Sequence, residues 1–199
     1  IEEVTLAGSG GAVTFTVTNA DEAAGVTKYT TAGDQAITLK GAAAQFNGAV
    51  ITQGGTGTLG FSITTAGDLD ATGLTLAGGI SLAADVGANA TDTIKAASGT
   101  TVSIDAAQTA SSVLVLDGND AATTSTLVIN ANEATGELET EDYETITINT
   151  NDSKAITIDE LDMDANDASV SVGGSNDVTI TNGAVAGGDL SVVGLDVLL

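Results

Sequence analysis

The feature that most constrains this chain is a two-residue alternation of apolar and hydroxyl side chains, repeated in strings of only three to five residues. Val13-Thr14-Phe15-Thr16-Val17, Ala36-Ile37-Thr38-Leu39, Phe61-Ser62-Ile63-Thr64, Thr101-Val102-Ser103-Ile104, Ser112-Val113-Leu114-Val115-Leu116 and Thr126-Leu127-Val128-Ile129 carry it. So do Thr145-Ile146-Thr147-Ile148, Ile156-Thr157-Ile158, Ser169-Val170-Ser171-Val172 and Val178-Thr179-Ile180. A period of two sends successive side chains to opposite faces, so each string reads as a short strand with one face buried. Gly, Asn, Asp and Ala lie between the strings and suit turns. Ala42–Phe46 and Ala106–Gln108 offer a helical turn each, and neither sustains a stripe of period 3.6.

The 199 residues include no Trp, no Pro and only 3% aromatics, so the interior must be built from Val, Ile, Leu, Ala and Thr. Strand centres recur every ~10 to 13 residues, a spacing that a sandwich or a solenoid can produce. Short strands, small aliphatic interiors and the scarcity of hairpin turns favour the solenoid; Asn47-Gly48 and Asn182-Gly183 are the exceptions. The expected fold is all-β: a parallel β-helix of short Val/Ile/Thr strands with Gly/Asn/Asp turns. Tandem β-sandwiches are the alternative. Residues 1–199 are read as one solenoid region, a segment of a larger protein whose targeting signal lies elsewhere or has been removed, with a sub-boundary near 132–143.

The chemistry is bounded by what is missing. There is no His and no Cys, hence no imidazole base, no thiol nucleophile and no nitrogen- or sulfur-ligated zinc. The basic residues are Lys28, Lys40, Lys95 and Lys154, against 27 acids and a net charge of −23. Four lysines cannot cover a phosphate backbone, so nucleic acid is excluded as a partner. No apolar run reaches the roughly 20 residues of a membrane span.

The phrases IEEVTL at 1–6, DYETITINTNDSKAITID at 142–159 and ASVSVGGSNDVTITNGAVAGGDLSVVG at 168–194 resemble the β-helical segments of secreted bacterial surface-layer proteins. The relatives are the Caulobacter-type S-layer and RTX-associated proteins. The resemblance is one of style and composition and covers most of the chain. It implies a non-enzymatic structural protein outside the cell, assembling with Ca²⁺ into a two-dimensional lattice of its own copies, with lipopolysaccharide as the anchoring partner. An adhesin or biofilm-matrix domain that binds a surface glycan is the alternative. The terminal Leu195-Asp196-Val197-Leu198-Leu199 is similar to type I secretion signals, and reads equally well as a final strand.

Candidate metal ligands follow from the acids. Twelve carboxylates lie between Glu133 and Asp167. Within that stretch Asp162-x-Asp164-x-Asn166 places oxygens as an EF-hand loop begins, although Asp167 and Gly173 replace the required Gly and Glu. Gly173–Ile180, with Asp177, and Asp117-Gly118-Asn119-Asp120 are partial echoes of the RTX nonapeptide, in which carbonyls and Asp carboxylates of stacked turns enclose Ca²⁺. The expected Ca²⁺ ligands are therefore Asp162, Asp164, Asn166, Asp167, Asp117, Asn119, Asp120 and Asp177, all on acidic turns. Gly55–Gly60 matches G-x-G-x-x-G, but a strand follows instead of a helix, so it reads as a turn and not a phosphate cradle. Glu139 and Glu141 are spaced like a glycosidase pair but lack aromatic company. Thr14/Thr16, Thr145/Thr147 and Thr179/Thr181 are similar to ice-binding ladders, without one constant period.

Overall fold

The computed structural model describes residues 3–8, 10–18, 27–47, 49–65, 67–85, 91–109, 111–118, 124–150, 155–163, 169–174, 177–185, 189–194 and 197–198. Their architecture is a parallel β-solenoid. One wall is a nine-stranded sheet of β2 (Val13–Thr16), β4 (Ile37–Ala42), β6 (Leu59–Thr65), β8 (Ile80–Leu82), β10 (Thr100–Ile104), β12 (Thr126–Ala131), β14 (Thr145–Thr150), β16 (Ser169–Gly174) and β18 (Asp189–Gly194). The opposite wall begins as a three-stranded sheet of β1 (Glu3–Gly8), β3 (Lys28–Gly33) and β5 (Val50–Gln53). It continues as a seven-stranded sheet of β7 (Leu69–Ala71), β9 (Thr91–Ala96), β11 (Val113–Asp117), β13 (Thr135–Glu141), β15 (Ile156–Met163), β17 (Val178–Val185) and β19 (Val197–Leu198).

Each turn thus gives one strand to each wall, and every pairing is parallel. Partners one turn apart are separated by as few as 19 positions (Phe61 and Ile80) and as many as 27 (Val102 and Ile129). The strands stay in register while the connections absorb the difference. That combination explains why the sequence shows strands without a clean repeat.

Stacking converts alternation into continuous columns. Phe15, Leu39, Phe61, Ile80, Val102, Ile129, Ile148 and Val172 face one another step by step along the nine-stranded wall. From Leu39 onward all of these are buried. Burying each such side chain contributes about 1.5–3 kcal/mol, which lets thin aliphatic ladders replace a bulky core. The rings gather at the first turns, where Phe46 and Phe61 stack at 4.9 Å and Phe15 meets Tyr29 at 6.4 Å.

Two irregularities matter later. Between β5 and β7 the second wall is interrupted, and the single-turn helix α1 (Ala43–Phe46) packs there with Phe46 buried. Across the gap the Gln53 side chain acts as a surrogate peptide: its Nε2 donates to the Thr75 carbonyl (2.6 Å) and its Oε1 accepts from the Thr75 N–H (2.8 Å). Further along, the inward alternation slips by one at a shared corner, from Thr135 to Leu138 in β13 and from Ile158 to Leu161 in β15. The G-x-G-x-x-G string is a turn that leads into β6. Gly55 has φ +76°, and a Cβ there would lie 2.0 Å from the Gly33 carbonyl oxygen, so only glycine fits the stacked bend.

Candidate functional site

Among the described residues, most carboxylates that fall within strands belong to the seven-stranded wall, and the register says how they face one another. In β13 the residues Glu137, Glu139 and Glu141 alternate with Leu138 and Thr140, so the glutamates point outward while Leu138 enters the core. Glu137 stands opposite Glu160, Glu139 opposite Asp162, and Glu141 opposite Asp117. Adjacent strands are about 4.8 Å apart, and like charges directly opposite destabilise a pair.

One column relieves part of this. Asp70, Lys95, Asp117 and Glu141 follow one another, and Lys95 Nζ donates to Asp117 Oδ2 in a close ion pair. That hydrogen bond and the attraction of Asp117 raise the Lys95 pKa above its usual value. Asp70 accepts from both the N–H (3.1 Å) and the Oγ1 (2.7 Å) of Thr72, which lowers its pKa. Asp68, Asp70, Thr93, Lys95, Asp117, Glu139 and Glu141 are among the residues that line a cleft of about 520 Å³.

One carboxylate points the other way. Asp92 occupies an inward position of β9, at the head of a column that continues as Leu114, Leu138 and Leu161. It is 8% exposed, and among the described residues its Oδ2 has no hydrogen-bond partner. Burial raises its pKa, and the neighbouring Asp68 raises it further. Asp68 itself accepts the Thr93 N–H (3.0 Å).

The expected ligands separate. Asp117 is buried and held by Lys95, and the next residue, Gly118, donates its N–H to the Glu141 carbonyl (2.9 Å). Asp162 lies within strand β15, opposite Glu139. Asp177 is exposed just before β17, and its carbonyl accepts the Ile156 N–H (3.0 Å). Asn119, Asp120, Asp164, Asn166 and Asp167 lie outside the described residues. Much of the acidic stretch is strand: Glu137, Glu139, Glu141, Asp159, Glu160 and Asp162, the last expected on a turn, all belong to β13 or β15. Glu144 acts as a local cap, accepting the N–H and Oγ of Ser125, and these bonds lower its pKa. Tyr143, buried behind this region, places its hydroxyl 2.8 Å from the Ala96 carbonyl and so ties neighbouring turns together.

Asp68, Asp70, Asp92 and Lys95 did not emerge from the sequence as site residues. Among the described residues no three carboxylates converge to hold a metal ion. The acids pair across strands, once between β11 and β13 and twice between β13 and β15, an arrangement that suits shared, partly hydrated cations better than a closed cage of six to eight oxygens. Among the described residues no helix is long and apolar enough to cross a membrane. The chain matches no protein-family model, no curated protein and no solved structure.

Proposed function

We propose that this chain is a structural element of an extracellular bacterial surface layer, assembling with copies of itself and not catalysing a reaction. The observation that carries the reading is the set of in-register acid pairs, Glu137/Glu160 and Glu139/Asp162, on one wall of a solenoid. With a net charge of −23, two such walls repel each other in water. Divalent cations shared between them reverse the sign of that interaction, and Ca²⁺ is the hard, oxygen-seeking ion that fits. Each acid pair supplies some of the oxygens, while water and a facing molecule complete the shell. Assembly is then governed by cation supply, and an anionic glycan such as lipopolysaccharide is held through the same shared ions.

The test compares purified protein in Ca²⁺, in Mg²⁺ and in a strong chelator by electron microscopy and thermal unfolding. Ordered sheets and a higher melting temperature in Ca²⁺, lost in chelator, are expected. Separate rods under all three conditions, with identical melting, overturn the proposal.

A further inference from the structure

The sequence holds two Asn-Gly pairs, and the fold puts them in opposite situations. Asn47 directly follows α1, exposed to solvent, with φ −69° and ψ 114°. The Ala49 N–H donates to the Phe46 carbonyl (3.1 Å), which makes Asn47 the second residue of a β-turn. Its angles are those of a type II turn, which takes glycine at the third place, and the sequence supplies Gly48. The hydrogen bond of such a turn uses the fourth residue's N–H, not the third's. Asn182 and Gly183, by contrast, lie inside β17, in register with Glu160 and Leu161 of β15.

We propose that Asn47 is a site of spontaneous self-modification, its amide converted to a carboxylate through the backbone nitrogen of Gly48, while Asn182 is spared. The inference stands apart from the surface-layer reading. A base in the solvent takes the Gly48 N–H proton, and the nitrogen attacks Asn47 Cγ. The new N–Cγ bond closes a five-membered imide as the Cγ–Nδ2 bond breaks, and Nδ2 takes up a proton and leaves as ammonia. Water then adds to either imide carbonyl and opens the ring, giving Asp or isoaspartate at position 47. Glycine has no Cβ to shield the attacking nitrogen. Ring closure also needs rotation about the asparagine ψ. A turn held by one hydrogen bond opens locally at little cost, whereas a residue within a ladder moves only when its strand does. The product alters a site that is already charged. Asn47 lines the same cleft as Asp68, Asp70 and Glu139, so its conversion adds a further carboxylate there. The resulting repulsion is strongest in dilute buffer, where salt screens least.

The test ages the purified, folded chain in mildly alkaline buffer made with water enriched in heavy oxygen, followed by peptide mapping. Heavy oxygen and a mixture of Asp and isoaspartate should accumulate at position 47, with Asn182 slower by about tenfold or more. The reaction should slow in weakly acidic buffer, and Asn47→Gln should abolish it at that position. In urea strong enough to unfold the chain, the two asparagines should react at similar rates. An Asn47 that stays intact in the folded chain overturns the inference, as does an Asn182 that reacts equally fast. An undiminished preference for Asn47 in urea also overturns it, because sequence neighbours and not the fold would then make the choice. Asn47→Asp carries the product's charge and should melt below Asn47→Gln in dilute buffer but level with it in concentrated salt. Circular dichroism establishes that both variants are folded, and equal melting in dilute buffer overturns the placing of the new charge in the acidic cleft.

Discussion

Behind Thr147 and Asn149 on one wall, and behind Glu137 and Glu139 on the other, stand residues of the same kind: Ile148 and Leu138, both fully buried. The exteriors differ as much as the interiors agree. One wall shows mostly hydroxyls and amides, with Lys40 and the Asp105 carboxylate that Ser81 bonds, the other facing carboxylates with Lys95 among them. A solenoid permits this because the inward residues determine whether a turn stacks, while the outward ones are left to interact with whatever lies outside. Charge can therefore be moved to one side without loss of the fold.

The largest effect should be the same on both walls. Leu138→Ala and Ile148→Ala are each expected to cost about 2–5 kcal/mol in urea unfolding followed by circular dichroism. A loss confined to one wall would break the claim of a common interior. Next in size is the inward carboxylate. Asp92→Leu completes a leucine column and should stabilise the protein by about 1–3 kcal/mol at neutral pH, since it replaces a buried, incompletely bonded acid. Because the folded-state pKa of Asp92 is raised, its protonated form supports the fold below the ordinary carboxylate pKa, and that support is lost as pH rises through the folded value. Asp92→Asn should therefore gain over wild type at neutral pH and lose the advantage in acid; equal gains at both pH values would contradict this account.

Removing the cation is a smaller perturbation. Lys95→Met should lower the melting temperature, more in dilute buffer than in concentrated salt, by leaving Asp117 between Asp70 at the end of the column and Glu141. Smaller still, Glu139→Gln should stabilise by about 0.2–1 kcal/mol in low salt, whereas Thr147→Gln should stay within about 0.5 kcal/mol of wild type. Equal responses of these two in a salt series would remove the electrostatic distinction between the walls.

The aliphatic strands were legible because Val, Ile and Leu alternate with Thr and Ser, as in Thr145–Ile148 and Thr126–Ile129. The solenoid itself followed from short strands and missing rings. The acidic wall was not legible for a different reason. Thr135–Glu141 contains a single large aliphatic residue, Leu138, so its string of acids reads as a bend; the period of two among Glu137, Glu139 and Glu141 was the available signal. Pairings such as Glu139 with Asp162 depend on turn lengths that vary from 19 to 27 residues, and no local pattern encodes them. The Thr pairs share no single ladder: Thr14/Thr16 and Thr145/Thr147 lie on the nine-stranded wall one column out of step, and Thr179/Thr181 lie in β17 of the other wall. Asp92, set between two threonines, carries no local signal of burial; its inward place follows from its register opposite Leu114 of β11.

The interruption after β5 has a mechanical meaning. Where a backbone ladder continues, tension along the solenoid axis is shared among several hydrogen bonds at each step. At the seam, among the described residues, that wall passes the load through the two bonds of one amide, Gln53 to Thr75. Stretched end to end, the molecule should part there first, releasing the ring-rich opening turns as one piece and leaving the aliphatic remainder coiled.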